Sequence, residues 1–429
     1  METILQKYGV KTYAGGRLQH APMVRAGRWV FGNGLRAVDE HGAPLAELLR
    51  PGRRLDAAPK AEREAAYVFE RMAALLEEAG SSLTQVVRLD QYYPGCWQAV
   101  DPYHTARKAA MKGRVAPSTS VLVTQLLSQG SEMDVQVMAA AHDSGLTVEP
   151  VSVSRVGAPK ESGYSPCVRC GDLLFVAGQL ARDDTGDLAP EAMVPETQLW
   201  KGTRIKKETH YLIEQRLKPI LEAAGSEMDL ILKAQVYLSE ETDLPAFWQE
   251  WSAAFKGAVP PTTVVPVKHP GFGTHEARLE VNVIAAHEQA RDRLVDIEMA
   301  GVLPFDGMLA ARRLDELVFL SGLMAIDEHG LVESARIPTE TPYFVDSVGR
   351  QMDDILDKAE RILRAAGSSL AQVVRALHFH RDLASFPAAH APWRLLLGET
   401  ALPVTAVGTG SGLFVPGAEA IVDLIGYAP

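Results

Sequence analysis

Three stretches decide the fold of this chain: RWVFGNGL at residues 28–35, DLLFVAGQL at 172–180 and ELVFLSGLM at 316–324. They place Gly34, Gly178 and Gly322 at two equal intervals of 144 residues (178−34 and 322−178). Each stretch sets β-branched and aromatic residues around its glycine and leads into a polar turn, which is typical of a β-hairpin. The chain therefore repeats one unit three times.

Two further landmarks keep this register. An A-G-S sequence typical of a helix end recurs at Gly80, Gly225 and Gly367. A Pro-x-Thr motif recurs at Thr119, Thr262 and Thr405, with both intervals equal to 143 (262−119 and 405−262). A period this long is the size of a small domain and exceeds that of solenoid repeats. We predict three tandem domains, at residues 1–145, 146–292 and 293–429, which short linkers hold close together.

Composition bounds the class of protein. A length of 429 residues predicts about three domains. A hydrophobic fraction of 47% with 23% charged residues is typical of a globular protein in water. We expect a cytoplasmic protein with no membrane partner, because there is no apolar run of about 18–20 residues and no signal-like start. Three cysteines are too few for a disulfide framework.

The net charge of −11 weighs against a nucleic-acid partner, because phosphate binding needs clustered Lys and Arg. A nuclease is therefore a distant possibility, and a small-molecule ligand is expected. Within each repeat the order is strands, a long amphipathic helix, a strand, a shorter helix and closing strands. This order predicts an α+β fold with helices on one face of a mixed sheet.

The same order and motifs resemble the YjgF/RidA (reactive intermediate deaminase) family. The second repeat is most similar, over GYSPCVRCGDLLFVAGQLARDDTGDL at 163–188 and ILKAQVYLSEETDLPAFWQEWSAAFKGAVPPTTVVPV at 231–267. The resemblance implies a chorismate-mutase-like fold whose sheets lie inside and helices outside. Family members assemble as homotrimers, so three fused copies imply an intramolecular pseudo-trimer with three unlike clefts. We therefore expect a single chain to form the whole pseudo-trimer as a monomer, and further dimerisation of this unit remains open.

The resemblance also implies a departure from the family's usual substrate. Its deaminases hold an imino acid by an arginine in a Pro-x-Arg-(S/T) stretch, since a guanidinium matches a carboxylate bidentately. Thr119, Thr262 and Thr405 stand at that position here. They become candidate substrate-binding residues, or else ordinary β-branched residues at strand starts. The usual 2-imino acids are then not expected as substrates.

Other cleft positions of the family carry over unevenly to the three repeats. The tyrosine near the domain start is matched by His20, Tyr164 and Met308, in chain order. The residue before the hairpin glycine is Asn33, Ala177 and Ser321, and the asparagine on the second helix is matched by His104, Trp248 and His390. The glutamate of the final strand is matched by Asp134, Glu280 and Ile421, with Asp423 two residues further on.

These matches suggest a cofactor-free and metal-free hydrolase or deaminase-like enzyme, acting on a small imine, enamine or related C–N compound. Glu280 or Asp134 would orient water, and His104 or Tyr164 would handle protons, because histidine titrates near neutral pH. In the alternative, His104 and His390 are ordinary helix-surface residues. A non-catalytic binding or sensing protein on the same scaffold is the rival hypothesis.

Three other patterns favour a structural interpretation. Cys167 and Cys170 form a C-x-x-C on a predicted strand, where the spacing sends the side chains to opposite faces. His269 and His275 bracket an insertion in the second repeat, where a hairpin loop is favoured over a metal site. Arg25, Arg169 and Arg313 recur in register, and salt bridges are favoured over a substitute anion clamp.

Overall fold

The computed structural model describes residues 5–13, 18–49, 56–95, 97–154, 156, 163–197, 202–268, 271–274, 276–340, 343 and 345–429. Within these residues, helices and strands alternate in the order that the sequence predicts, so the α+β class is confirmed. His269 and His275 lie outside the described residues. Within the described part, no helix is both long enough and apolar enough to cross a bilayer.

The first repeat forms a sheet in the order β1-β4-β5-β9-β6-β7, in which only β6 and β7 are parallel. Its strands are β1 Gln6–Tyr8, β2 Lys11–Tyr13, β3 Leu18–His20, β4 Met23–Ala26, β5 Trp29–Leu35, β6 Val86–Pro94, β7 Ser118–Val123, β8 Gln125–Leu126 and β9 Asp134–Ala140. Its helices are α1 Ala46–Leu49, α2 Lys60–Glu78 and α3 Val100–Ala110.

The second repeat has the same sheet order, β10-β11-β12-β15-β13-β14. Its strands are β10 Val148–Pro150, β11 Cys167–Cys170, β12 Leu173–Gln179, β13 Ile231–Leu238, β14 Thr262–Pro266 and β15 Leu279–Ala286. Its helices are α4 Arg204–Tyr211, α5 Lys218–Ala223 and α6 Leu244–Ala253, and a π-helical turn over Leu212–Leu217 joins α4 to α5.

The third repeat forms the sheet β16-β17-β18-β23-β21-β22-β8, so that β8 of the first repeat completes the sheet of the third. Its strands are β16 Leu294–Ile297, β17 Ala311–Leu314, β18 Leu317–Leu320, β19 Ile326–Asp327, β20 Gly330–Leu331, β21 Val373–His380, β22 Val404–Gly408 and β23 Ala420–Tyr427. Its helices are α7 Ser347–Ala365 and α8 Phe386–Leu397.

The long helices bury one stripe each and end at the predicted glycines. In α7, Met352, Ile355 and Ile362 are fully buried against the sheet. Gly80, Gly225 and Gly367 follow the three helices with φ of 75°, 72° and 79°. This left-handed conformation strains any residue with a Cβ, which explains the recurring A-G-S sequence.

The inner faces of the three sheets share two apolar clusters. One contains Phe31, Phe175 and Phe319, which occupy equivalent positions of the hairpin strands. The other contains Tyr92, Tyr237 and Phe379 from β6, β13 and β21, and the two tyrosine hydroxyls lie 3.2 Å apart. Burying each aromatic side chain contributes roughly 1.5–3 kcal/mol. Every repeat therefore depends on its neighbours to cover its inner face.

The cysteines and the recurring arginines have the structural roles that the sequence favours. Cys167 and Cys170 belong to different apolar clusters, and burial raises the pKa of each thiol to about 12. Arg25 binds Asp143 at 2.5 Å, whereas Arg169 and Arg313 donate to the backbone carbonyls of Gly171 and Asp315. None of these five side chains supplies a reactive thiolate or a substrate clamp.

Buried histidines make the fold sensitive to acid. Burial, followed by the charges of neighbouring histidines, holds the pKa of His378 well below its usual value, and burial lowers that of His380 to about 4. Below the ordinary histidine pKa of about 6.5 the unfolded chain takes up protons that the folded chain excludes. The free energy of unfolding should therefore fall as pH drops from about 6.5 towards 4, by up to about 2.7 kcal/mol per pH unit for the pair.

Urea unfolding between pH 7 and pH 4.5 tests this prediction. A His378→Phe/His380→Phe variant should show a shallower dependence on pH. A variant of the exposed His41, His41→Asn, should keep the wild-type slope. Equal slopes in all three proteins would contradict the assignment of the acid sensitivity to this pair.

Candidate functional site

Three seams join neighbouring repeats, and each is built in the same way. Parallel backbone bridges connect Val115 with Tyr164 at the first seam, Val259 with Met308 at the second, and Leu402 with His20 at the third. The pairing agrees with the sequence alignment of His20, Tyr164 and Met308. The three seams are thus equivalent in backbone but differ in side chains.

The first seam contains a cavity with a volume of about 350 Å³, whereas the cavity beside His390 at the third seam has a volume of about 10 Å³. Three of the predicted site residues, His104, Tyr164 and Glu280, line the cavity of the first seam together. The remaining lining residues are Trp97, Val100, Asp101, Ser118, Ser120, Gly178, Leu180, Arg182 and Gly273. The cavity therefore draws on α3 and β7 of the first repeat and on β12 and β15 of the second.

Glu280 extends from β15 towards Gly178 on the neighbouring strand β12. A Cβ at position 178 would lie 2.0 Å from Oε1 of Glu280, so the glycine makes room for the carboxylate. Burial raises the pKa of Glu280 to about 8, the charge of Arg182 opposes this shift, and Asp90 adds to it. A carboxyl that titrates near neutral pH inside a cavity is suited to general acid–base catalysis.

Arg182 is the cavity residue that the sequence interpretation missed. Its Nη2 donates to the Tyr164 hydroxyl at 2.7 Å, and no carboxylate among the described residues pairs with it. The equivalent positions in the other repeats are Val38 and Ile326, 144 residues before and after. A position-by-position comparison of the repeats would have found it, as a charge that appears in one copy only.

His104 lines the opposite wall of the cavity, on α3. Burial, followed by the charges of Arg107 and Lys108, lowers its pKa to about 3. This low pKa favours a neutral imidazole at neutral pH, so His104 stays a predicted site residue that lines the cavity in its uncharged form. Arg107, behind it, donates to the Ser118 hydroxyl at 2.8 Å.

The three threonines at the family's arginine position bind across the seams. Thr119 Oγ1 accepts from Asn282 Nδ2 at 3.1 Å, and Thr405 Oγ1 accepts from the Gly34 backbone N–H at 2.7 Å. In the second repeat, strand pairing places Thr263 at the position that Thr119 and Thr405 occupy in the other two repeats. Thr263 Oγ1 donates to Asp423 at 2.5 Å. The threonine side chains thus hold the repeats together.

The assignment of Thr262 to this position is wrong by one residue. The sequence PPTT over 260–263 fits the Pro-x-Thr motif in two registers, and the strand pairing selects the second. Thr262 instead donates to the Pro260 carbonyl at 2.8 Å and accepts from Trp251 Nε1 at 3.3 Å.

The third seam, between the third and first repeats, is closed by polar contacts. Asp134 and Arg36 form a buried ion pair at 2.7 Å, and His20 Nε2 lies 3.1 Å from the Val404 carbonyl oxygen. Asn33 donates to the Val374 carbonyl, and His390 packs on Phe386 beside a cavity of only about 10 Å³. Asp134 therefore does not share a cavity with His104, so these two cannot act together as the water-orienting and the proton-handling residue.

The second seam is closed by packing. Trp248 stacks on Phe305 with ring centroids 3.9 Å apart, and Met308 packs into the apolar cluster of the second repeat. The Ser321 hydroxyl donates to the Leu309 carbonyl at 2.6 Å. Ile421 occupies the position of Glu280 and packs into the shared apolar cluster. This seam offers no acid–base group at the position of Glu280.

Comparisons with known proteins agree with the fold. A family model described as Endoribonuclease L-PSP matches residues 157–287 and 308–413. A RutC family protein of Saccharolobus solfataricus is 33% identical over 129 residues, which are 30% of this chain and 90% of that protein. Protein mmf2, mitochondrial, of Schizosaccharomyces pombe is 27% identical over 139 residues, or 32% of this chain and 96% of that protein.

A solved structure of a chorismatase extends the likeness to most of the chain. It matches with a TM-score of 0.50 and 14% sequence identity, and the match covers 80% of this chain and 93% of the chorismatase chain. At this level of identity the likeness concerns the fold alone. It supports a chorismate-mutase-like arrangement of repeated domains.

The closed third seam allows a test of its ion pair. Asp134→Asn should lower the free energy of unfolding by about 3–5 kcal/mol, because it leaves the buried guanidinium of Arg36 without a counter-charge. The double variant Asp134→Leu/Arg36→Met should regain most of this loss. Urea unfolding at pH 7 measures both, and a single variant as stable as the wild type would contradict the pairing.

Proposed function

Because the chain belongs to the Endoribonuclease L-PSP family, to which the YjgF/RidA proteins belong, we propose that it is a cofactor-free enzyme that hydrolyses a small imine, enamine or related C–N compound at its first seam. The observation that carries this proposal is the convergence of Glu280, Tyr164 and Arg182 on one cavity of about 350 Å³. Carboxyl, phenol and guanidinium together offer proton transfer and orientation without a metal.

In the proposed reaction, water is the nucleophile. The Glu280 carboxylate takes a proton from water while the oxygen attacks the C=N carbon, and Glu280 then gives this proton to the nitrogen, which forms the carbinolamine. In the second half of the cycle Glu280 takes the proton of the carbinolamine hydroxyl and passes it to the nitrogen as the C–N bond breaks. The products are a carbonyl compound and ammonia, and Glu280 is ionised again. The positive charge of Arg182 supports this cycle because it favours the ionised form of Glu280.

Substrate choice follows from the polar groups that remain free to bind. Thr119 is engaged with Asn282, so the position at which the family's arginine holds 2-imino acids offers no charged clamp. Arg182 approaches the cavity from β12 and its turn instead, and Tyr164 orients it. We propose that the substrate differs from the usual 2-imino acids and that its acceptor group reaches Arg182.

A non-catalytic binding protein is the second candidate, and the closed seams favour it. Trp248, Phe305 and Met308 fill the second seam with apolar side chains, and Asp134 is neutralised by Arg36 in the third. Under this alternative the first seam would bind a ligand and release it unchanged. Turnover by the wild type distinguishes the two functions.

Replacing Glu280 tests the catalytic role. Glu280→Gln should lower kcat for ammonia release by about 10²–10⁴-fold, since the amide cannot take up a proton. For the wild type, kcat/KM should rise with pH and reach half of its maximum near pH 8, the pKa of this carboxyl, because only the ionised form acts as a base. Asp134→Asn, compared where it remains folded, should keep both the rate and the pH profile. Full activity in Glu280→Gln would overturn the proposal.

Replacing Arg182 tests the substrate anchor. Arg182→Met should raise KM by at least about tenfold. Arg182→Lys should raise KM by a smaller factor, because a lysine keeps the charge but loses the planar fork. The assay follows ammonia from 2-iminopropionate, 2-iminobutyrate and larger imines generated in situ. We expect turnover of the larger compounds and only the spontaneous rate with the first two. Equal KM values in all three proteins would exclude Arg182 as an anchor.

A further inference from the structure

A ring of buried cations lies inside the three sheets, between the two shared apolar clusters. Arg88, Lys233 and Arg375 occupy equivalent positions of β6, β13 and β21, each opposite an apolar residue of the last strand of its repeat. Their exposed fractions are 5%, 2% and 6%. Three like charges in one buried layer require counter-charges nearby.

Two carboxylates provide part of that balance. Arg88 binds Asp90 through Nε and Nη2 at 2.9 and 2.8 Å. Lys233 Nζ lies 2.6 Å from Asp423 and donates to Thr263 at 2.7 Å. Asp90 is therefore committed to Arg88, and Asp423 is committed to Lys233 through Oδ2 and keeps only its Oδ1 towards Arg375.

Arg375 lacks an equivalent partner. Its Nε donates to the Gln136 side-chain oxygen at 3.3 Å, and its Nη1 lies 3.7 Å from Asp423, beyond hydrogen-bonding distance. Its Nη2 has no hydrogen-bond partner among the described residues. A guanidinium does not lose its proton in proteins, so Arg375 stays positively charged in this buried position.

A small cavity adjoins the unsatisfied guanidinium. Its volume is about 20 Å³, and Arg88, Asp90, Gln136 and Arg375 form its polar wall. Apolar side chains of all three sheets, among them Phe31, Ile284 and Ile425, close the rest. A space of this size holds one particle of the size of a water molecule or a halide.

We propose that a halide-sized monovalent anion binds in this cavity and accepts a hydrogen bond from Arg375 Nη2. The ring has three cations and two carboxylates, so one anion makes the layer neutral. Water would satisfy the hydrogen bond but would leave one buried charge uncompensated. The site is separate from the cavity of the first seam and does not depend on the proposed hydrolysis.

Bromide is the probe for this site. The full chain is unfolded and refolded in sodium bromide, because the cavity is enclosed, and it is then crystallised for anomalous diffraction at the bromine edge. We expect one anomalous peak beside Arg375 Nη2. Thermal unfolding at constant ionic strength should give a melting temperature about 1–3 °C higher in sodium chloride than in sodium gluconate, whose anion is too large for the cavity.

Two variants complete the test. Arg375→Met should abolish both the bromide peak and the difference in melting temperature. Arg381→Met, which removes an exposed arginine paired with Glu419, should keep both. If Arg375→Met does not fold, the wild-type diffraction decides alone. Water without bromide in the cavity, together with equal melting temperatures in chloride and gluconate, would overturn the proposal.

Discussion

The structure depends on the burial of three sheet faces against one another. Phe31, Phe175 and Phe319 meet in one shared cluster, and Tyr92, Tyr237 and Phe379 meet in another. No repeat can cover these residues with its own helices, since α2, α5 and α7 pack on the other face of their sheets. The seams follow from this constraint, because closing the three faces together brings the β7, β14 and β22 edges against the start of a neighbouring repeat.

Fusion into one chain lets the three seams differ while their backbones remain equivalent. Where the first seam keeps Glu280, the third has Asp134 locked to Arg36 and the second has Ile421. Where the first seam has Tyr164 bonded to Arg182, the second has Met308 in an apolar cluster and the third has His20 bonded to a backbone carbonyl. In a homotrimer any of these substitutions would change all three seams at once. An isoleucine at the position of Glu280 would then remove the carboxyl from every seam.

The sequence predicts the features that depend on periodicity and backbone conformation. Equal spacing of Gly34, Gly178 and Gly322 determines the repeat, and the left-handed glycines at the helix ends follow from their A-G-S context. It does not predict features that depend on which side chains meet across strands. The Arg36–Asp134 pair, the low pKa of His104 and the choice of Thr263 over Thr262 are of this kind. Motif spacing fixes the register of a strand to within one residue at best, and a slip of one residue turns the side chain to the other face.

Differences in packing and in charge burial explain why one seam is open and two are closed. An open cavity forgoes packing contacts, and a buried carboxyl such as Glu280 adds a desolvation penalty that Arg182 only partly offsets. The Trp248–Phe305 stack regains contacts at the second seam, and at the third an ion pair replaces an unpaired acid. The residues that close the second and third seams therefore stabilise the frame that holds the open first seam in place. An open cavity at one position and tight packing at the equivalent positions is the distribution expected if the proposed function needs a single site while the fold needs all three seams.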